Sequence, residues 1–357
     1  MTNLERALSA HRAMERYFAA GRGLYRQSHP VRPDERYAYI WPYSRALAAT
    51  IDLVELGALD RAALDGLLGG LAEYWHARPR LGPPRFTSAV RPPLWHGRGV
   101  SYDDNGWPAL SLVRIHALTG NLAALTRAVE VFDFAVDGWA TRPGGPPPGG
   151  VYWQYQAVGQ SNHDRNTCSN GPTALLGLGL HAVTQDASQL AWARRIYDWV
   201  NAYLRDPDDG LYWDHLLTTS RTAYWVDRTK WTYNQGTMIG AGALINRLGA
   251  DGDGACLRAA IASAETALRF FDGRYERQMP AFNAVFFRHL LALVPLVPDR
   301  HALARDALTA LREYAEWGWT SVRDPATGLF GPSAANLIDQ GAWTEIYACL
   351  ARADAGA

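Results

Sequence analysis

The sequence is short of sulfur, of charge surplus and of long apolar runs, and each shortage removes a class of protein. Cys168, Cys256 and Cys349 are 3 cysteines in 357 residues, widely separated and without a CxxC spacing. They predict packing residues, neither a disulfide framework nor a thiolate zinc site. The 35 Lys and Arg balance the 35 Asp and Glu with no basic tract, so neither nucleic acid nor an anionic membrane is an expected partner. No apolar run approaches the roughly 20 residues that cross a bilayer, and the opening MTNLERALSAHRAMERYF is charged and periodic, unlike a secretory apolar core. A cytoplasmic chain is the expectation. No Gly-rich phosphate loop follows a strand, and the glycines of GPTALLGLGLHAV fall within a helix, where they serve packing. His163, His215 and His289 show no metal spacing such as HExxH. They are expected as polar wall or structural residues, with no metal and no organic cofactor.

What is plentiful is aromatic: 14 Trp and 17 Tyr, many beside Asp, Asn, Gln and Gly in segments unlike a core. Apolar residues recur at i, i+3, i+4 and i+7, predicting helices near 2–20, 41–56, 60–77, 105–119, 121–140, 166–184, 187–204, 232–249, 253–272, 281–296, 299–318 and 335–352. Twelve helices make six hairpins, several closed by short turns such as ALTGNL, while the reverse connections are long and rich in Pro, Gly and aromatics. Short turns on one end of a stack of antiparallel helices gather the long loops on the other, where function usually sits. The even helices open with YIWPYS, YDDNGW, NHDRNTCSN, WTYNQG, FNAVFFRH and DQGAWTE and continue through small apolar residues, which suits an inner ring. The odd helices carry charge on one side and suit an outer ring. The expected fold is all-α, an (α/α)6 barrel in one domain over 1–357; an open helical solenoid is the alternative.

Asp103 and Asp104 in SYDDNGWPAL are the first candidate site residues. Alone, acidic residues before a helix are explained as caps and by the helix dipole. Pro108 suits a first helical turn, which leaves both aspartates at the helix opening beside Tyr102 and Trp107, facing the cleft. Two carboxylates about 5 Å apart are what a retaining glycosidase needs, one ionised to attack the anomeric carbon and one protonated to serve the leaving oxygen. Like-charge repulsion raises the proton affinity of one, and helix N–H groups favour ionisation of the other. Trp231, Tyr233, Asn234 and Gln235 in KWTYNQG, with Tyr152 and Trp153 in GGVYW, supply stacking faces and amides suited to a polyol; a single Trp among them is explained equally by core packing. Asn166 and Asn170, one turn apart, face the same ligand or cap a helix. Asp214 in GLYWDHL holds a sugar hydroxyl or a turn. Arg288, beside Phe282 and Asn283, pairs with a carboxylate at the rim or in a structural ion pair.

At these residues the chain resembles glycoside hydrolase family 76, the α-1,6-mannanases. YDDNGWPALSLVRIHALTGN, GGVYW, RNTCSN, ARRIYDWVNAYLRDPDDGLYWD, WTYNQGTMIGAGALI and FNAVFFRHLLAL stand in the family's order from about residue 40 to 350. The resemblance implies Asp103 as nucleophile and Asp104 as general acid/base of a double displacement. It further implies that Asn166, Asn170, Asp214, Trp231, Tyr233 and Asn234 line sugar subsites, and an α-1,6-linked mannan backbone or oligosaccharide as substrate. The chain departs from the pattern at Pro108, Arg165, His215 and Phe282–Asn283–Ala284. Other readings are an epimerase or uronide hydrolase on the same toroid, or a transglycosylating or non-catalytic sugar-binding relative. A monomer or weak oligomer is expected.

Overall fold

All twelve expected segments are helical in the computed structural model, which describes residues 1–356 except 33–35, 79–81, 91–98, 142–146, 156–162, 221–222, 298–299 and 332. They are α1 (Asn3–Phe18), α2 (Ile40–Glu55), α3 (Ala63–Ala72), α4 (Tyr102–Thr119), α5 (Leu122–Asp137), α6 (Thr167–Thr184), α7 (Ala187–Tyr203), α8 (Thr232–Arg247), α9 (Ala255–Phe271), α10 (Pro280–Leu293), α11 (Arg300–Trp317) and α12 (Leu337–Ala355). Each even helix packs on the next even helix, and α12 returns to α2, which closes the inner ring. The odd helices lie outside it, α1 against α12, α5 against α4, α7 against α6 and α9 against α8. The fold is the (α/α)6 toroid, and an open solenoid is excluded by the α12–α2 contact. Among the described residues, no helix is long and apolar enough to cross a membrane.

Small residues draw the inner helices together. A Cβ on Gly236 of α8 would sit 2.6 Å from the Phe286 Cα of α10, and one on Gly341 of α12 would sit 3.0 Å from the Arg45 carbonyl carbon of α2. Short turns close the other end of the ring, as where Gly120 takes φ +73° after α4 and the Asn121 side chain accepts the Ala124 N–H to start α5.

Two features of the inner ring position the site. The fourth residue of every inner helix reaches back to clamp a loop at the rim. Asn105 holds both backbone groups of Phe86, Asn170 both of Val151 and Gln235 both of Tyr212. Gln340 accepts from Phe330 N–H, Asn283 donates to Tyr275 C=O, and Tyr43 in α2 donates to Gly23 and Leu67 carbonyls. An amide carries a donor and an acceptor on one short arm, so it can satisfy a buried peptide unit completely. The second feature is a charge cluster deep in the ring. Asp52 of α2 pairs with Arg114 of α4 at 2.5 Å and with Arg288 of α10; Arg288 also reaches Glu345 of α12 at 3.0 Å. Burial alone would raise the Asp52 carboxyl, but the two guanidinium groups hold it down at about 2.

Candidate active site

The helix carrying the aspartates begins at Tyr102, three residues earlier than the sequence reading, with Ser101 as its cap. Asp103 and Asp104 therefore occupy the first turn itself, where N–H groups have no helical acceptors and favour a negative charge. Pro108 lies beyond that turn, inside the helix, a correction to the expectation that it marks the helix start. The segment ahead of α6 threads beside this turn. Trp153 C=O accepts the Tyr102 N–H at 2.9 Å, and Trp153 N–H donates to Asp164 C=O at 2.7 Å.

The two carboxyl groups, both half-buried, have different surroundings. Cys168 Sγ of α6 donates to Asp103 Oδ2 at 3.5 Å, while Asp103 Oδ1 is buried without a hydrogen-bond partner. Burial raises Asp103 to about 6 against the pull of hydrogen bonds from the Asp104 N–H, the Cys168 thiol and the Trp153 indole. Asp104 is pushed much further up, first by burial and then by the charge of Asp103, with a hydrogen bond from Ser101 opposing. One proton is thus shared unequally, Asp104 keeping it where Asp103 is ionised. Tyr233 of α8 hydrogen-bonds the Cys168 thiol, so a Tyr233–Cys168–Asp103 chain runs from one wall to the carboxylate. The sequence reading missed Cys168, because a lone thiol in an apolar helix carries no signal of what faces it.

An aromatic wall crosses the site. Tyr233 stacks on Phe282 with ring centres 4.0 Å apart, Trp231 meets Phe282 edge-on at 5.8 Å, and Trp41 of α2 stacks on it at 6.1 Å. The segment leading into α6 belongs to a three-stranded antiparallel sheet of β1 (Asp164–Asn166), β2 (His215–Thr218) and β3 (Tyr224–Asp227). Register pairs Asn166 with His215 and His215 with Asp227, placing the three side chains on one face. Asn166 and Asn234 each keep a buried, unpartnered Oδ1. Asp214 accepts from Asn234 Nδ2 at 3.4 Å and lies 3.1 Å from His215 Nδ1, whose affinity for a proton that hydrogen bond raises. Asp214, His215 and Asp227 bring one metal-capable atom each within 4.8 Å of one another, the one such group among the described residues. The Tyr152 ring lies 6.2 Å from the His163 ring.

Five expected ligands are placed elsewhere. Tyr102 is buried, stacked on Phe134 at 4.6 Å. Trp107 is buried under the Arg45 guanidinium at 5.1 Å. Asn170 and Gln235 are fully buried clamps whose amide groups are occupied by backbone. Arg288 is spent on Asp52 and Glu345 in the ring's interior. His289 is there too, its proton affinity depressed by burial and by the guanidinium groups of Arg288, Arg45 and Arg114 to about 3, so it stays a neutral ring.

A cavity of about 600 Å³ has Asp104 in its wall together with Gln27, Tyr39, Trp41, Ser101 and Gln154. A larger one, about 1030 Å³, opens between the end of α7 and β3 and is lined by Tyr203, Trp213, Tyr224 and Arg228, without either aspartate. Cavity size is therefore a poor guide here, and the perturbed carboxyl pair locates the chemistry.

A family model described as glycosyl hydrolase family 76 matches residues 5–329. The mannan endo-1,6-alpha-mannosidase DCW1 of Candida glabrata is 35% identical over 106 residues, 29% of this chain and 24% of that protein. A putative mannan endo-1,6-alpha-mannosidase of Schizosaccharomyces pombe is 28% identical over 149 residues, 40% of this chain and 33% of that protein. The chain thus matches a third or less of the length of these two curated relatives. Among solved structures, a family 76 mannosidase from Bacteroides thetaiotaomicron superposes with TM-score 0.82 at 22% identity, covering 99% of each chain. The α-1,6-mannanase of a Salegentibacter species, inactivated at two adjacent aspartates and in complex with α-1,6-mannotriose, gives TM-score 0.78 at 22% identity over 98% of this chain and 99% of that one. At these identities the likeness is one of fold.

Proposed function

The chain belongs to glycosyl hydrolase family 76, and from that premise we propose that it is a retaining glycoside hydrolase cleaving α-mannosidic, chiefly α-1,6, linkages in manno-oligosaccharides or mannan. The observation carrying this reading is the unequal carboxyl pair in the first turn of α4. Asp103, half-buried, has the lower proton affinity of the two, as a nucleophile requires. Asp104 holds its proton and lines an open cavity, as a general acid requires. Asp103 attacks the anomeric carbon as Asp104 gives its proton to the departing oxygen; Asp104, now ionised, then takes a proton from the water that releases the sugar. Tyr233, Phe282 and Trp231 supply ring faces for the sugar, and Asn166, Asp214 and Trp153 supply polar contacts, with the fully buried Asn234 donating to Asp214. Asn170, Gln235 and Arg288 have no part in it, since their polar groups are already taken.

Asp103→Asn and Asp104→Asn assayed on α-1,6-manno-oligosaccharides test the roles. Each is expected to lower kcat/KM by at least about a thousandfold, as for other positioned acid, base or nucleophile groups. Proton NMR of the first-formed anomer tests retention. Full activity in either variant, or an inverted product, refutes the assignment.

A further inference from the structure

We propose that the cavity beside Asp104 is the leaving-group subsite, holding a neutral hexose with Trp41 as its stacking platform and Gln27 as its amide, an inference that rests on the double-displacement reading above. The two aspartates divide the groove. Asp103 is engaged by Cys168 and, through it, Tyr233, whereas Asp104 lines the cavity of about 600 Å³ with Gln27, Tyr39, Trp41, Ser101 and Gln154. A general acid must touch the glycosidic oxygen, so the sugar that departs lies on the acid's side. Trp41 continues the aromatic wall into that side, stacked on Phe282 at an interplanar angle of 28°. Gln27 is fixed there: its C=O accepts the Leu337 N–H, and its Oε1 accepts the Tyr39 N–H at 3.0 Å. That leaves its amide nitrogen as the donor end. Gln154 is held by pairing of its backbone with Ser101, the cap of α4. An indole face with an amide and hydroxyls matches the apolar faces and equatorial hydroxyls of a hexose. None of these residues belongs to the set the sequence singled out.

The test uses the partition of the glycosyl-enzyme. With α-1,6-mannobiosyl α-fluoride as donor, Asp103 displaces fluoride, which departs with the proton of Asp104. A hydroxyl of methyl α-mannoside or a water then attacks C1, the bond to Asp103 breaks with its electron pair returning to the carboxylate, and the nucleophile's proton passes to Asp104. The ratio of transfer to hydrolysis does not depend on how much enzyme is folded. At a fixed subsaturating acceptor concentration that ratio is expected to fall about tenfold in Trp41→Ala and in Gln27→Ala relative to wild type. An unchanged ratio in both variants overturns the subsite, and so does a wild type that hydrolyses the donor with retention but never transfers. A wild type that leaves the donor untouched, or releases the inverted sugar, overturns the double-displacement reading itself.

Discussion

Asp103→Asn keeps the side chain's size and removes its charge, so it measures what the proposed nucleophile costs the fold. Burial lifts this carboxyl from 3.8 to about 6, and at about 1.4 kcal/mol for each unit of pKa the ionised form costs the native state about 3 kcal/mol. Between those two values the native protein keeps a proton that the unfolded chain has lost. Stability therefore falls as pH rises through that window, and the cost is complete above about 6. Asparagine escapes it, but its amide places a donor where Oδ1 has no partner, which returns about 1 kcal/mol. The variant is expected to be about 1 to 3 kcal/mol more stable than wild type near pH 7.5, with the advantage gone near pH 4. Urea unfolding followed by tryptophan fluorescence at the two pH values reads both numbers. Equal stability near neutrality, or a gain that ignores pH, refutes the claim that Asp103 is held ionised at the fold's expense.

The pH profile of kcat/KM should be a bell, its acid limb near 6 where Asp103 takes up its proton and its alkaline limb set by the raised Asp104; a profile flat across both limbs contradicts the assignment. Cys168→Ala deletes the thiol that donates to Asp103 and should move the acid limb to higher pH, with Cys168→Ser moving it back. Asn170→Ala strands both backbone groups of Val151 and should cost about 2 to 4 kcal/mol in urea unfolding. Arg288→Met leaves Asp52 and Glu345 short of a cation and should cost about 3 to 5 kcal/mol, while KM for a manno-oligosaccharide in the folded fraction moves less than about twofold.

The inner ring was legible because its signal is periodic: small and apolar residues on even segments, charge on odd ones, and short turns on one end. Helix ends were less so. Residues 60–77 read as one helix, but α3 stops at Ala72, and Trp75–His76 leave it to pair with Arg85–Phe86. The aspartate pair was legible because adjacent acids beside aromatics at a helix opening form a local pattern. The amides were the misleading part. Asn170, Asn234 and Gln235 have the same chemistry and sit at the same rim. Yet Asn170 and Gln235 stand at the fourth helical position, which aims them at the loop behind, and only Asn234, one position earlier, keeps a free oxygen.

What sequence could not supply is the difference between two identical neighbours. Asp103 and Asp104 share a turn, a dipole and a residue type, and beyond the adjacent Asp104 N–H and Ser101, the asymmetry between them is imposed by groups distant in the chain. Cys168 lies 65 residues away and gives its thiol to Asp103 alone. Trp41 and Gln27 stand beside Asp104 because α12 closes the ring onto α2 and Leu337 anchors Gln27. The donors on one side lower the proton affinity of Asp103, and its charge then raises that of Asp104. The α4–α6 contact thus sets the order of the two proton affinities, while the α12–α2 closure builds the cavity wall that Asp104 faces: packing between neighbours divides acid from nucleophile, and closing the ring shapes what the acid meets.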